Sequence, residues 1–169
     1  MGDPGPIIET GWNELINISV RPIFCSEDDL NQLIAIERAS FNQYDAYSLV
    51  DFKRWLQYNP DLCLAAEMNG KIVGYVISRI HDGVCDLASM AVANDFRHCG
   101  IGQVLLEAIE KSALNYGMTE IDLEVRTTNL GGQSFWQKMN FVPFGKLSGF
   151  YEDGGDAIRM RKIIIPMGY

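Results

Sequence analysis

Residues 84–117 read VCDLASMAVANDFRHCGIGQVLLEAIEKSALNYG, and the fold turns on this stretch. Val84–Val92 is an apolar run of strand length and reads as a buried central strand. A polar loop, Ala93–Cys99, follows it. From Gly100 the period changes. Ile101, Leu105, Ala108, Ile109 and Ala113 share one face of a helix, and Gly117 stands where a C-terminal cap glycine belongs. Then Ile121, Leu123 and Val125 alternate with Asp122, Glu124 and Arg126, the mark of a strand with two unlike faces.

Working outward, Leu62–Met68 and Lys71–Arg79 flank Asn69-Gly70, a strong short-range hairpin signal. His81-Asp82-Gly83 turns the chain into the central strand. Further upstream a strand fits Ile18–Ile23. Ser26 reads as the N-cap of a helix carrying Asp29, Leu30, Leu33, Ile34 and Ile36. A second helix starts near Ser48, with Phe52, Trp55 and Leu56 on one face, and ends at Asn59-Pro60. Downstream, a helix spans about Asn129 to Met139. Strands Phe141–Phe150 and Asp156–Ile165 are joined by Glu152-Asp153-Gly154-Gly155. The order β-α-α-β-β-β-α-β-α-β-β predicts an α/β (α+β) domain, a mixed sheet with helices on its faces. Residues 1–17, rich in Gly and Pro at the start, read as a loose extension, and 18–169 as one domain.

Composition narrows the function. A chain of 169 residues buries a core large enough to need no disulfide or metal staple. Its net charge of −8 speaks against nucleic-acid binding and against docking on an anionic membrane. No apolar run approaches the roughly 20 residues a membrane span needs. The start carries no basic region of a signal peptide. Cys25, Cys63, Cys85 and Cys99 form no C-x-x-C pair, and His81 and His98 are the only histidines. Reduced thiols, a cytoplasmic location and no metal site are therefore expected.

Arg97 to Gly102 lies between the central strand and the helix. Glycines there let a ligand approach the backbone, and free amides at a helix start bind anionic oxygens. No Lys-Ser or Lys-Thr follows, so it is no Walker loop, and the third glycine of a dinucleotide fingerprint is missing. Taken alone, it equally reads as a plain strand-to-helix turn.

Three motifs carry a resemblance. Arg97-x-x-Gly100-x-Gly102, after Ser89-Met90-Ala91-Val92, resembles the acetyl-CoA signature of the GCN5-related N-acetyltransferases. Leu123-Glu124-Val125-Arg126-Thr127-Thr128-Asn129 resembles the L-E-V-R-x-x-N segment of the branch that acetylates protein N-termini, which includes ribosomal-protein alanine enzymes and archaeal Nα-acetyltransferases. Gly149 to Ala157 is similar to that branch's Y-Y-x-x-G-x-D-A ending.

The resemblance implies a mostly antiparallel sheet of about seven strands, splayed between the fourth and fifth, with four flanking helices. Acetyl-CoA would lie in the opening as co-substrate, without a metal. Backbone groups of Met90, Ala91 and Val92 would meet its pantetheine arm. The loop Arg97, His98, Cys99, Gly100, Ile101, Gly102 and Gln103 would take its diphosphate. Asn129 matches a residue on the cofactor arm, and an N-cap role is compatible with that. Glu124 matches the general base, acting through a water on an attacking α-amine. Phe41, Tyr44 and Tyr47 fall where the pocket for the first acceptor residues is shaped, and Tyr151 matches a tyrosine that holds the acceptor backbone.

One departure stands out. Seven residues after Asn129 the bacterial members carry a tyrosine read as the acid for the departing thiolate, and here the residue is Trp136. Indole is no proton acid. Trp136 then packs on the cofactor arm or fills core, and the thiolate takes its proton elsewhere or leaves without one. The implied function is acetyl transfer to a protein or peptide N-terminus by direct attack, by a monomer or weak dimer. Transfer to a small-molecule amine or a lysine side chain, and a non-catalytic acyl-CoA-binding module, are the alternatives.

Overall fold

The computed structural model describes residues 7–9 and 15–165, with side chains described from Asn17 on. Most of the expected loose extension therefore lies outside the described residues. The described parts, β1 (Ile7–Glu9) and β2 (Leu15–Asn17), pair antiparallel as a small sheet of their own.

The main sheet has seven strands: β3 (Ser19–Pro22), β4 (Cys63–Met68), β5 (Lys71–His81), β6 (Val84–Val92), β7 (Glu120–Arg126), β8 (Val142–Leu147) and β9 (Ala157–Ile163). Their order is β3-β4-β5-β6-β7-β9-β8. Every neighbouring pair is antiparallel except β6 and β7, the fourth and fifth strands of this sheet. Helices α1 (Glu27–Ser40) and α2 (Leu49–Tyr58) cover one face, and α3 (Ile101–Asn115) and α4 (Leu130–Lys138) the other.

Local chemistry explains the element ends. Ser26 caps α1 by accepting from Asp29 N–H, and Ser48 and Asp51 close a capping box on α2. Asn69 and Gly70, like Asp82 and Gly83, have positive φ, which suits a two-residue hairpin turn. Gly117, at φ 75, lets the Met118 amide return to the Ala113 carbonyl and close α3.

Two features of β6 make the site. Its only pairs with β7 are Cys85↔Ile121 and Asp86↔Asp122, after which the two strands diverge. In addition, the β5–β6 register slips between Ile77↔Ser89 and Ser78↔Leu87, leaving Ala88 as an extra residue. Cys85 and Leu87 face α3, and beyond the bulge Met90 and Val92 face it, while Ser89 and Ala91 turn to the other side. Sequence alternation alone predicts no such change of face.

Candidate active site

The divergence of β6 from β7 opens a cleft of about 600 Å³. Its walls are Leu87–Val92 on one side and Leu123–Arg126 on the other, with α4 and the start of α3 completing it. On its β7 side, β6 from Leu87 onward has no strand partner, so a backbone edge free of strand pairing lines the opening.

At one end lies the loop before α3. His98 (φ 60) and Gly100 (φ 81) both take the left-handed conformation. The Arg97 guanidinium ties the loop down, donating from Nε to Val92 O (2.9 Å) and from Nη2 to Ser40 Oγ (3.1 Å). The first helical bond of α3 runs from Val104 N–H to Gly100 O, so the amides before Val104 have no acceptor within the helix. α1 and α2 have side-chain caps and acidic first turns, whereas α3 has neither. An uncapped helix end suits an anion. Gly102 has a packing reason as well, because a Cβ there would meet the Phe135 ring at 3.0 Å.

Glu124 stands on the opposite wall, at mid-strand in β7, with its side chain 22% exposed. Burial, and then the Asp86 carboxylate, push its carboxyl above the ordinary range, partly offset by Arg159 and Arg79. Arg159 Nε lies 3.3 Å from Glu124 Oε1 without the alignment of a hydrogen bond. The face that sequence alternation marks as polar is thus a ladder of paired charges, with Arg159 and Arg161 also lying over the Phe144 ring. Asp122, on that face, is itself buried against Arg161 and Arg159.

Of the residues singled out from sequence, Phe41, Met90, Ala91, Val92, Arg97, His98, Gly100, Ile101, Gly102, Gln103, Glu124, Asn129, Trp136 and Tyr151 all line this cleft. Asn129 is also the N-cap of α4, its Oδ1 accepting from Gly132 N–H at 2.9 Å. Trp136 is 9% exposed and packs edge-on against Phe135 and Phe141, so it fills core while facing the cleft.

Two residues do not line the cleft. Tyr44 is 47% exposed, because a turn in which Asn42 Oδ1 accepts from the Tyr44 and Asp45 amides leaves its ring in solvent. Tyr47, the third aromatic expected at the pocket, does line the cleft, and Asp45 lines it beside Tyr47. Cys99 packs against the α3 side of the core, with Sγ 3.5 Å from Arg97 O.

Sequence reasoning missed the buried group beneath this floor. Glu37 of α1 is fully buried. One carboxyl oxygen accepts from Tyr47 N–H (2.8 Å), and the other is in hydrogen-bond reach of the Tyr75 and Ser89 hydroxyls, which can donate to the carboxylate or accept from the protonated acid. A charged residue on the buried side of an amphipathic helix was the available signal. Burial pushes the Glu37 carboxyl up to about 7, against the donors from Tyr47 and Ser89. The native state therefore keeps a proton, between about pH 4.5 and 7, that the unfolded chain has released. Stability falls as pH rises through that window. Urea unfolding at pH 5 and pH 8 is expected to differ by up to about 3 kcal/mol, the acidic sample being more stable, and Glu37→Gln should flatten the difference. Asp29, held low by Arg21, acts in the opposite direction and only below about pH 4.

Residues 30–141 match the family model described as the acetyltransferase (GNAT) family. The chain belongs to the GNAT acetyltransferases. This acetyltransferase is 34% identical over 139 residues to an uncharacterized N-acetyltransferase of Methanocaldococcus jannaschii, covering 81% of the chain and 87% of the relative. It is 33% identical over 149 residues to an N-alpha-acetyltransferase of Saccharolobus solfataricus, covering 80% and 87%. Its fold is similar to that of Ard1 from Thermoplasma volcanium, with a TM-score of 0.81 at 24% identity over 88% of this chain and 99% of that one. On its family and relatives the acetyltransferase is an N-acetyltransferase. Among its described residues no helix is long and apolar enough to cross a membrane, and no group of three or more His, Cys, Asp or Glu could hold a metal ion.

Proposed function

We propose that this enzyme moves the acetyl group of acetyl-CoA to the α-amine of a protein or peptide N-terminus. The observation that carries the proposal is the layout of the cleft. An uncapped helix end lies at one side, the β6 edge without a strand partner runs through it, and a half-buried carboxylate, Glu124, lies opposite in the company of Tyr47 and Tyr151. The residues present fit the co-substrate. The amides ahead of Val104, backed by the helix dipole, suit a diphosphate, and the β6 edge near Met90 and Val92 suits the amides of a pantetheine arm. Acetyl-CoA brings the acetyl group as a thioester.

Glu124 accepts the amine's proton, through a water, as nitrogen bonds to the thioester carbonyl carbon; the carbon–sulfur bond breaks and coenzyme A leaves as a thiolate, which an ordinary thiol pKa of about 8.5 permits. A modest base is enough, because an α-amine titrates near 8 whereas a lysine titrates near 10.4. The archaeal relative named as an N-alpha-acetyltransferase supports the same acceptor. Thiol release should be followed with acetyl-CoA and peptides of varied first residue, against lysine side chains and polyamines. Release with free N-termini alone is the expected result. Preference for polyamine or lysine overturns the acceptor, and no release with any amine overturns catalysis.

Trp136 is assigned no acid role, since its indole serves the core. Trp136→Phe is expected to keep turnover within about tenfold of the parent, because the replacement retains most of the aromatic packing. A loss beyond about 100-fold with intact folding and cofactor binding would mark a missing proton donor or its positioning.

A further inference from the structure

The α1–α2 loop and the β8–β9 loop flank Glu124 on the acceptor side of the cleft, contributing Asp45 and Tyr47 from one and Phe150 and Tyr151 from the other. A single side chain joins them. Arg126 ends β7, two residues after Glu124, and so projects from the same face of the sheet. Its Nε donates to Asp45 Oδ2 at 2.9 Å and its Nη2 to Asp45 Oδ1. Its Nη1 donates to both carboxylate oxygens of Asp153 at 3.1 Å, and Nη2 also reaches Asp153 Oδ1 at 3.1 Å. The Tyr151 ring lies on the guanidinium, 4.0 Å from Cζ. Arg126 and Asp45 are only 14% and 15% exposed, so the Asp45 half of the fork is shielded from water, whereas Asp153 is 32% exposed. Its backbone is held in turn, because Gln133 Nε2 of α4 donates to the Arg126 and Thr127 carbonyls.

Gly155 is shaped to this guanidinium. A Cβ at Gly155 would lie 2.0 Å from Arg126 Nη1, although the glycine has no positive φ to explain its presence. The missing side chain is the space that the guanidinium occupies.

We propose that Arg126 is a positioning residue for the acceptor: it clasps the α1–α2 and β8–β9 loops together beside Glu124, so that the incoming amine-bearing chain is held between two walls of fixed separation. Cofactor binding, at the other end of the cleft, does not depend on it. The inference rests on the acceptor reading above for its kinetic arm, and on geometry alone for its second arm.

In the first arm, Arg126→Gln is expected to raise KM for the acceptor peptide by about ten- to hundredfold, the loss expected of charge-assisted hydrogen bonds. The Kd for acetyl-CoA, measured by calorimetry, should stay within about twofold. Gly155→Ala should give the same split, because its Cβ displaces the guanidinium, and in the Arg126→Gln background it should add nothing. A full additive effect of Gly155→Ala in that background, or an unchanged peptide KM in a folded Arg126→Gln variant, overturns the clasp. In the second arm, hydrogen exchange of the full chain with coenzyme A, and without any acceptor, should show residues 42–48 and 149–156 exchanging faster together in Arg126→Gln. A change confined to one loop overturns the proposal. If Arg126→Gln does not fold, Gly155→Ala carries both arms. A parent enzyme that acetylates polyamines and no peptide overturns the acceptor reading, and the exchange result still decides the clasp.

Discussion

Glu124→Gln is expected to lower turnover with an acceptor peptide by roughly 10²–10⁴-fold, the usual effect of losing a general base. The replacement keeps the size of the side chain and removes its ability to take a proton. Its surroundings make the carboxylate a better base than an exposed one, because burial and the nearby Asp86 carboxylate both oppose the negative charge. Removing that charge relieves the repulsion from Asp86 and Asp122 but costs the attraction to Arg159, so the fold is expected to stay close to its parent stability. Acetyl-CoA affinity should hardly change, because the cofactor contacts assigned here are backbone groups of β6 and the loop before α3. Single-turnover and steady-state rates at neutral pH, with calorimetry for acetyl-CoA, check both halves. Turnover within a few-fold of the parent would remove Glu124 from the reaction.

Gly100→Val is expected to weaken acetyl-CoA binding by roughly 100-fold or more. The position has φ 81, in the left-handed region where a β-branched residue is strained by about 1–3 kcal/mol. The loop can relieve that strain only by rotating the backbone that aims its amides into the cleft. The added branch also stands at the mouth of the helix end, where an anion would need to approach. Thermal unfolding should report a folded, modestly destabilised protein, since Gly100 is itself exposed and Arg97 ties the loop to Val92 and Ser40. Calorimetric titration with coenzyme A checks the result, and unchanged affinity in a folded variant would show that the diphosphate does not sit on this loop.

The elements were readable where a residue acts on its own backbone. Ser26, Ser48, Asn69-Gly70, Asp82-Gly83 and Gly117 begin, turn or end elements where local chemistry says they should. The glycine loop and the L-E-V-R-x-x-N segment were readable for the same reason, as contiguous residues held in a strand–loop–helix order. The polar face of β7 was readable as a face. Its state was not, because Asp122 and Glu124 are shielded by Arg159 of β9, 37 and 35 residues further along the chain.

Periodicity, capping and turn chemistry therefore settle which segments are helix or strand and which residues share a face, since these depend on neighbours within a few positions of the chain. Tertiary structure alone decides three things. The β6–β7 divergence depends on how far two parallel strands stay paired, and the bulge at Ala88 on the antiparallel register of β5 against β6; neither leaves a period in the strands themselves. The burial of Glu37 depends on Tyr75 and Ser89 arriving from 38 and 52 positions away. The junction of Asp45, Arg126 and Asp153 joins residues 81 and 27 positions apart through one guanidinium. The last two are long-range pairings of polar groups, whose partners come from distant parts of the chain, so no local pattern names those partners.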